Sequence, residues 1–222
     1  MRRRSAAAGV AFGAVAHIYL VRHGETAYNA RRVFQTPDVP LSERGVAQAA
    51  RLAARLAEAG VRRVLSSDLL RALMTARAVA QATRAELETD ALLQERNFGD
   101  LRGTPYRALG FDPFAPDYTP PGGESVAAFH ARVARAWARI ERAAAEAEGP
   151  LAVVTHGLVC RDLVARHLEV PPALAAPADP TRWVNTCVTE IEGPPWRVRL
   201  LACTAHLDEQ APRFRKGSDP AV

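Results

Sequence analysis

Two histidines stand at matching junctions in this chain. Leu20-Val21-Arg22-His23-Gly24-Glu25-Thr26 runs from apolar residues straight into a cation, an imidazole and a glycine. Far along the chain, Leu151-Ala152-Val153-Val154-Thr155-His156-Gly157 ends in the same His-Gly pair. An apolar run that stops in this way reads as a buried strand presenting polar groups at its carboxyl end, which is where open α/β sheets bind ligands. Arg22 carries a planar fork of donors suited to a cluster of anionic oxygens. His23 titrates near neutrality and can serve as nucleophile, base or acid. Gly24 permits a tight turn and a close approach of the backbone to a ligand. One such junction alone reads equally well as a surface Arg-His pair. Two of them can bring two imidazoles to one sheet edge.

The elements that must position these groups can be read in order. Ile18 to Val21 is the first buried strand. Ser42 is an N-cap for an amphipathic helix with Val46, Ala49, Ala50, Ala53 and Leu56 on its inner face and Gly60 as its stop. Val61 to Leu65 reads as a second strand. Ser67 or Asp68 can cap the next helix, with Leu69, Leu73, Ala76 and Val79 in the core and Arg71 in the first turn. There the guanidinium and the positive helix end favour the same anion. Leu87 to Leu93 reads as a strand, and Glu95 falls just past its end. Residues 104 to 121 carry five prolines together with Tyr106, Phe111, Phe114 and Tyr118, hold no helical or strand period, and read as a lid. Ser125 opens a long helix to about Ala147, and Leu158 to Leu168 forms another. Val184 to Ile191 and Arg197 to Cys203 are the closing strands, joined by a turn at Glu192-Gly193-Pro194-Pro195.

Arg22-His23-Gly24-Glu25-Thr26 resembles the signature of the histidine phosphatase superfamily, the phosphoglycerate-mutase-like proteins. The resemblance runs from about residue 17 to 208. It includes Asn29, six residues past His23, the stretch Ser66-Ser67-Asp68-Leu69-Leu70-Arg71-Ala72-Leu73-Met74-Thr75-Ala76, and Leu93 to Gly103 around Glu95. Gly123-Glu124-Ser125 and the junction at His156 complete it, in the family's order. One departure is visible: Gln35-Thr36-Pro37-Asp38 is one residue short of the family's loop, with Thr36 where glycine is usual.

The resemblance implies an α/β fold, a three-layer α/β/α sandwich with a mostly parallel central sheet. It implies that His23 is the nucleophile, forming a phosphohistidine. Arg22, Arg71 and His156 then hold the phosphoryl oxygens, with Asn29 and Gly157 as further phosphate ligands. Glu95 is the general acid and base, Glu25 supports by hydrogen bonding, and His206 stays outside the catalytic set. The expected activity is hydrolysis of a small-molecule phosphorylated substrate, with no cofactor and no metal. Two rivals remain: a phosphoglycerate-mutase-type phosphotransferase and a non-catalytic phospho-ligand-binding protein. The short stretch between Glu95 and His156, which are 61 residues apart, weighs against the mutase, and the intact set of polar residues against the binder.

Composition narrows the field further. The chain has 222 residues, enough for one domain with a substantial core. Its formal charge of +5 comes from Arg2, Arg3 and Arg4 and from the tail beyond residue 210, so residues 5 to 210 are neutral. A nucleic-acid binder carries its basic excess on the folded face, and none is expected here. Cys160, Cys187 and Cys203 form no CxxC pair, and the histidines show no metal spacing. Residues 1–16 read as an extension outside the fold, 17–210 as the catalytic domain and 211–222 as a basic tail without structure. No membrane segment is expected, the assembly is a monomer or homodimer, and the location is cytoplasmic. The alternative is export, if Ala14-Val15-Ala16 ends a signal peptide.

Overall fold

The computed structural model describes residues 15–174 and 183–208. Among the described residues, six strands make one sheet: β1 (Ala16–Arg22), β2 (Arg63–Ser66), β3 (Glu86–Thr89), β4 (Leu151–Thr155), β5 (Val188–Gly193) and β6 (Arg197–Cys203). Their order is β3-β2-β4-β1-β5-β6. The four strands from β3 to β1 run parallel, and β5 and β6 add an antiparallel edge. Every residue of β4 is buried, as an apolar run sandwiched between helix layers requires.

Alternation along the strands divides the core in two. Ile18, Leu20, Leu151 and Val153 pack beneath α4 (Val126–Glu146) and α5 (Gly157–His167). Val21, Ala152 and Val154 pack beneath α2 (Glu43–Glu58) and α3 (Leu70–Thr83). A short α1 (Ala27–Arg31) follows β1. The sandwich is thus the α/β/α architecture expected. Each fully buried Leu, such as Leu52 or Leu163, stabilises the sandwich by roughly 1.5–3 kcal/mol.

Several local expectations need correction. The buried face of α2 is Gln48, Ala49, Leu52, Ala53, Arg55 and Leu56, while Val46 is 51% exposed and Ala50 faces solvent. The buried face is turned from the one expected and takes in Arg55, which points inward to an ion pair with Glu190 at 3.0 Å. The strand expected over Leu87 to Leu93 is β3 only as far as Thr89, then a 3-10 turn over Ala91–Leu93, which Asp90 caps through the Leu92 N–H at 2.8 Å. The second and fifth strands both start later than their apolar patterns, at Arg63 and Val188. In α3 the N-cap is Leu69, without a side-chain cap, and Leu73 is half-buried, with Ala72 taking the core position. Ser42 caps α2 as expected, at 3.1 Å from the Gly45 N–H, and Ser125 caps α4 at 3.1 Å from the Ala128 N–H.

β1 begins at Ala16, one residue before the expected domain start; residues 1–14 of the proposed extension and the basic tail lie outside the described residues. Among the described residues, no helix is long and apolar enough to cross a membrane.

Candidate active site

Parallel pairing aligns Arg22 with Thr155, and the His23 N–H donates to the Thr155 carbonyl at 2.9 Å. The next residue of each strand is therefore a histidine at the same height. The rings of His23 and His156 lie 5.1 Å apart, tilted by 59°.

Each imidazole has its tautomer set by its neighbour. His23 Nδ1 lies 2.7 Å from the Gly24 carbonyl oxygen. A carbonyl can only accept, so Nδ1 carries the proton and Nε2 keeps its lone pair. Burial holds the His23 pKa well below the ordinary histidine value, with the charges of Arg71 and Arg22 acting in the same direction. The ring is therefore neutral and nucleophilic at physiological pH. His156 Nε2 meets Ser67 Oγ at 2.8 Å. That oxygen also accepts the Leu69 N–H at 3.3 Å; with the Ser67 hydroxyl donating to Nε2, the imidazole proton sits on Nδ1. Burial depresses the His156 pKa as well, again with help from Arg71, and this ring too is neutral.

Arg22 ends β1 and donates to the Trp183 carbonyl, and its Nε is buried without a partner. Arg71, in the first turn of α3, is 3% exposed and donates to the Thr36 carbonyl at 3.1 Å. Its Nε is likewise unpartnered, as is Nδ1 of His156. Burial lowers the Arg71 pKa to about 10, which leaves it cationic at neutral pH. Among the described residues, the Nε–H of Arg22, the Nε–H of Arg71 and, in the tautomer with the Ser67 hydroxyl donating, the Nδ1–H of His156 have no acceptor, an arrangement that costs folding energy unless an anion takes them up.

Glu95 lines the same cavity, of about 600 Å³. One carboxylate oxygen accepts the Arg96 N–H at 3.0 Å and the other the Leu158 N–H, in the first turn of α5, at 3.2 Å. Asn29 closes a capping box with Thr26, and its Oδ1 accepts from Thr26 N and Asn185 Nδ2, both at 3.2 Å. Gly157 lines the cavity beside Arg22. All the expected site residues therefore converge on one place: six line the cavity and His156 stands against His23.

Two expectations shift. Gly24 serves packing rather than ligand approach, since a Cβ there would meet the Gly45 carbonyl oxygen at 2.7 Å. Glu25 accepts from Ser42 Oγ at 3.1 Å and Arg44 at 3.2 Å and does not line the cavity. His206 sits elsewhere, between Thr186 Oγ1 at 3.2 Å and Arg55 at 3.4 Å, consistent with its exclusion from the catalytic set. Of the expected lid, Tyr106 and Phe114 line the cavity and pack on Phe34 and Phe98, whereas Phe111 and Tyr118 pair with each other at 4.9 Å. Residues missed in the sequence include Ser67 as partner of His156, and Arg32, Arg102, Arg161 and Trp183 in the cavity wall. Among the described residues, six arginines face two carboxylates there, so positive charge prevails in this set once a phosphate dianion is bound. Isolated arginines scattered through an arginine-rich chain give no local signal for this.

A parallel sheet whose adjacent strands end in histidine, above an arginine-lined cavity, defines a class of protein that works on phosphate. The chain belongs to the histidine phosphatase superfamily (branch 1), whose family model matches residues 18–205. Phosphoglycerate mutase-like protein 4 of Arabidopsis thaliana is 35% identical over 211 residues, covering 87% of this chain and 88% of the relative. A solved mycobacterial glucosyl-3-phosphoglycerate phosphatase in complex with VO3 superposes with a TM-score of 0.67 at 27% identity, covering 83% of this chain and 97% of that one. The phosphoglycerate mutase of Bacillus anthracis (strain Sterne) superposes with a TM-score of 0.67 at 26% identity, covering 85% and 92%.

Proposed function

We propose that the protein hydrolyses small phosphomonoesters through a phosphohistidine on His23, without a metal or organic cofactor. The observation that carries this reading is the neutral His23, with Nε2 unprotonated, beside three buried nitrogens that have no partner among the described residues: Nε of Arg22, Nε of Arg71 and Nδ1 of His156.

In the first step Nε2 of His23 attacks phosphorus in line. The N–P bond forms, the bond to the leaving oxygen breaks, and Glu95 gives its proton to that oxygen. In the second step water attacks phosphorus, its proton passes to Glu95, and the N–P bond breaks. Inorganic phosphate and neutral His23 are restored. A proton donor supplies about 10²–10⁴-fold of the acceleration. The larger part falls to Arg22, Arg71 and His156, which meet the equatorial oxygens without having to reorganise.

Hydrolysis is favoured over phosphoglycerate-mutase-type transfer because Glu95 and His156 are only 61 residues apart, which leaves little chain to shield the phosphohistidine from water. One structural relative is a phosphatase by name. The three free thiols, two of them buried, suit a reducing compartment and support a cytoplasmic location.

The test is para-nitrophenyl phosphate turnover with and without EDTA, together with acid quenching to trap phosphoenzyme. Turnover unaffected by EDTA and an acid-labile phosphoenzyme are expected. Activity that vanishes in EDTA and returns with magnesium overturns the metal-independent reading. Rapid isomerisation of 3-phosphoglycerate in the presence of 2,3-bisphosphoglycerate, with little phosphate released, would place the mutase first.

A further inference from the structure

Glu95 lies on irregular chain. β3 ends at Thr89, the 3-10 turn ends at Leu93, and no ladder partner holds the backbone that follows. A carboxyl that must meet a leaving oxygen within hydrogen-bond reach needs a rigid mount, since a misplacement of about 1 Å can cost ~100-fold in rate.

The mount is supplied by Arg132, on α4. A guanidinium has five N–H donors. Here all five are used: Nε to Glu124 Oε1 at 2.9 Å, one terminal nitrogen to the carbonyls of Leu92 at 2.8 Å and Gln94 at 2.7 Å, and the other to Glu124 Oε2 at 2.7 Å and the Glu95 carbonyl at 3.4 Å. Glu124 secures the far side. Its Oε2 accepts the Asn97 N–H at 3.3 Å, its N–H donates to the Asn97 carbonyl at 2.8 Å, and its carbonyl accepts Arg96 Nε at 3.1 Å. The main chain is thus held at Leu92, Gln94 and Glu95 on one side and at Asn97 on the other, with the Arg96 side chain tied to the Glu124 carbonyl. Both charged side chains are 14% exposed, so their bidentate pairing is partly shielded from water.

We propose that the Glu124–Arg132 pair is a positioning device for Glu95, acting on proton transfer to the leaving group and not on fold stability alone. The proposal rests on the reading of Glu95 as the general acid. It assigns Arg132 a role that its place on a long packed helix does not suggest.

The experiment compares kcat/KM for para-nitrophenyl phosphate, whose leaving group departs without a proton, and for glycerol 2-phosphate, whose alkoxide does not. Wild type, Glu95→Gln, Arg132→Ala, Arg132→Lys, Glu124→Gln and the double variant Glu95→Gln/Arg132→Ala are measured. Glu95→Gln should lose about 10²–10⁴-fold more on the alkyl ester than on the aryl ester. Arg132→Ala should show the same differential at about tenfold or more, and Glu124→Gln a smaller one. Lysine, a point charge without the planar fork, should restore only part of it. Added millimolar guanidinium should restore alkyl ester turnover to Arg132→Ala. The double variant should show little more differential than Glu95→Gln, because residues acting as a unit are not additive. Should Arg132→Ala fail to fold, Glu124→Gln, which keeps the side-chain volume, and Arg132→Lys carry the same readout. Equal losses on both esters in the Arg132 and Glu124 variants, alongside a differential in Glu95→Gln, overturn the proposal and leave the acid standing. No differential in Glu95→Gln overturns the acid and the proposal together.

Discussion

The two sides of the cavity are built differently. The phosphate side is made from the ends of adjacent strands and the first turns of α3 and α5, and its groups are buried: His23 is 2% exposed, His156 0% and Arg71 3%. The opposite side is made mostly of loops, with Arg161 of α5 at its rim. Tyr106 and Phe114 come from the segment after Gly103, Arg102 and Arg161 are exposed, and Phe114 is 42% exposed. The contrast separates two tasks. The phosphoryl group is the same in every monoester and can be met by a rigid, preorganised constellation. The leaving group varies, and loops accommodate variation that a sheet edge cannot. Glu95 stands between the two, on a loop held by a helix.

The comparison can be broken most decisively at the nucleophile. His23→Ala should abolish turnover and acid-labile phosphoenzyme for every substrate, as read by rapid quench. Persisting phosphoenzyme would place the covalent chemistry elsewhere. Next in size, Arg71→Ala should lower kcat about 10²–10³-fold, the typical loss of one transition-state donor. The loss should be nearly equal across leaving groups, since Arg71 serves the shared phosphate. A loss that varied strongly with leaving group would move Arg71 to the other side.

Smaller effects belong to the mouth. Arg102→Ala and Arg161→Ala should change para-nitrophenyl phosphate turnover by less than about tenfold, because exposed charges are screened within ~8–10 Å at ordinary salt. They should cost more with a substrate whose leaving group carries a second anion, and the gap should close as sodium chloride is raised. A gap that salt does not alter would mean a direct buried contact.

The smallest predicted effect concerns stability. Burial first, then Arg55 and Arg51, lowers the His206 pKa to about 4. In the unfolded chain it titrates near ~6.5. Between these values the unfolded state binds more protons, so this contribution is complete above pH ~6.5 and is lost as pH falls toward 4. His23 and His156 act with the same sign. Melting temperature should therefore fall from pH 7 to pH 4, and His206→Gln should show a shallower fall. An equal slope in the variant would assign the whole effect to other groups.

What could be read from the sequence was what local pattern encodes. Apolar runs stopping at His-Gly placed both imidazoles, because strand direction and chain order suffice for that. The face of α2 was misjudged because the partner of Arg55 is Glu190, 135 residues away, and an arginine scores as outward in any local periodicity. The end of β3 was missed because Asp90 capping a 3-10 turn outweighs the apolar Ala91-Leu92-Leu93 that follows. The support beneath Glu95 was invisible for the same reason as Arg55: Arg132 reaches carbonyls 37 to 40 residues upstream, and carbonyls have no sequence signature.

The bond from the His23 amide to the Thr155 carbonyl has a kinetic consequence. It joins two central strands between residues 2% and 0% exposed, so local fraying at the surface does not free that amide proton. Its hydrogen exchange should report global opening alone. Because the nucleophile and its neighbouring imidazole are attached to that same pair of strands, thermal inactivation and cooperative melting should trace one curve, while amides of the segment from Tyr106 to Tyr118 exchange well before it.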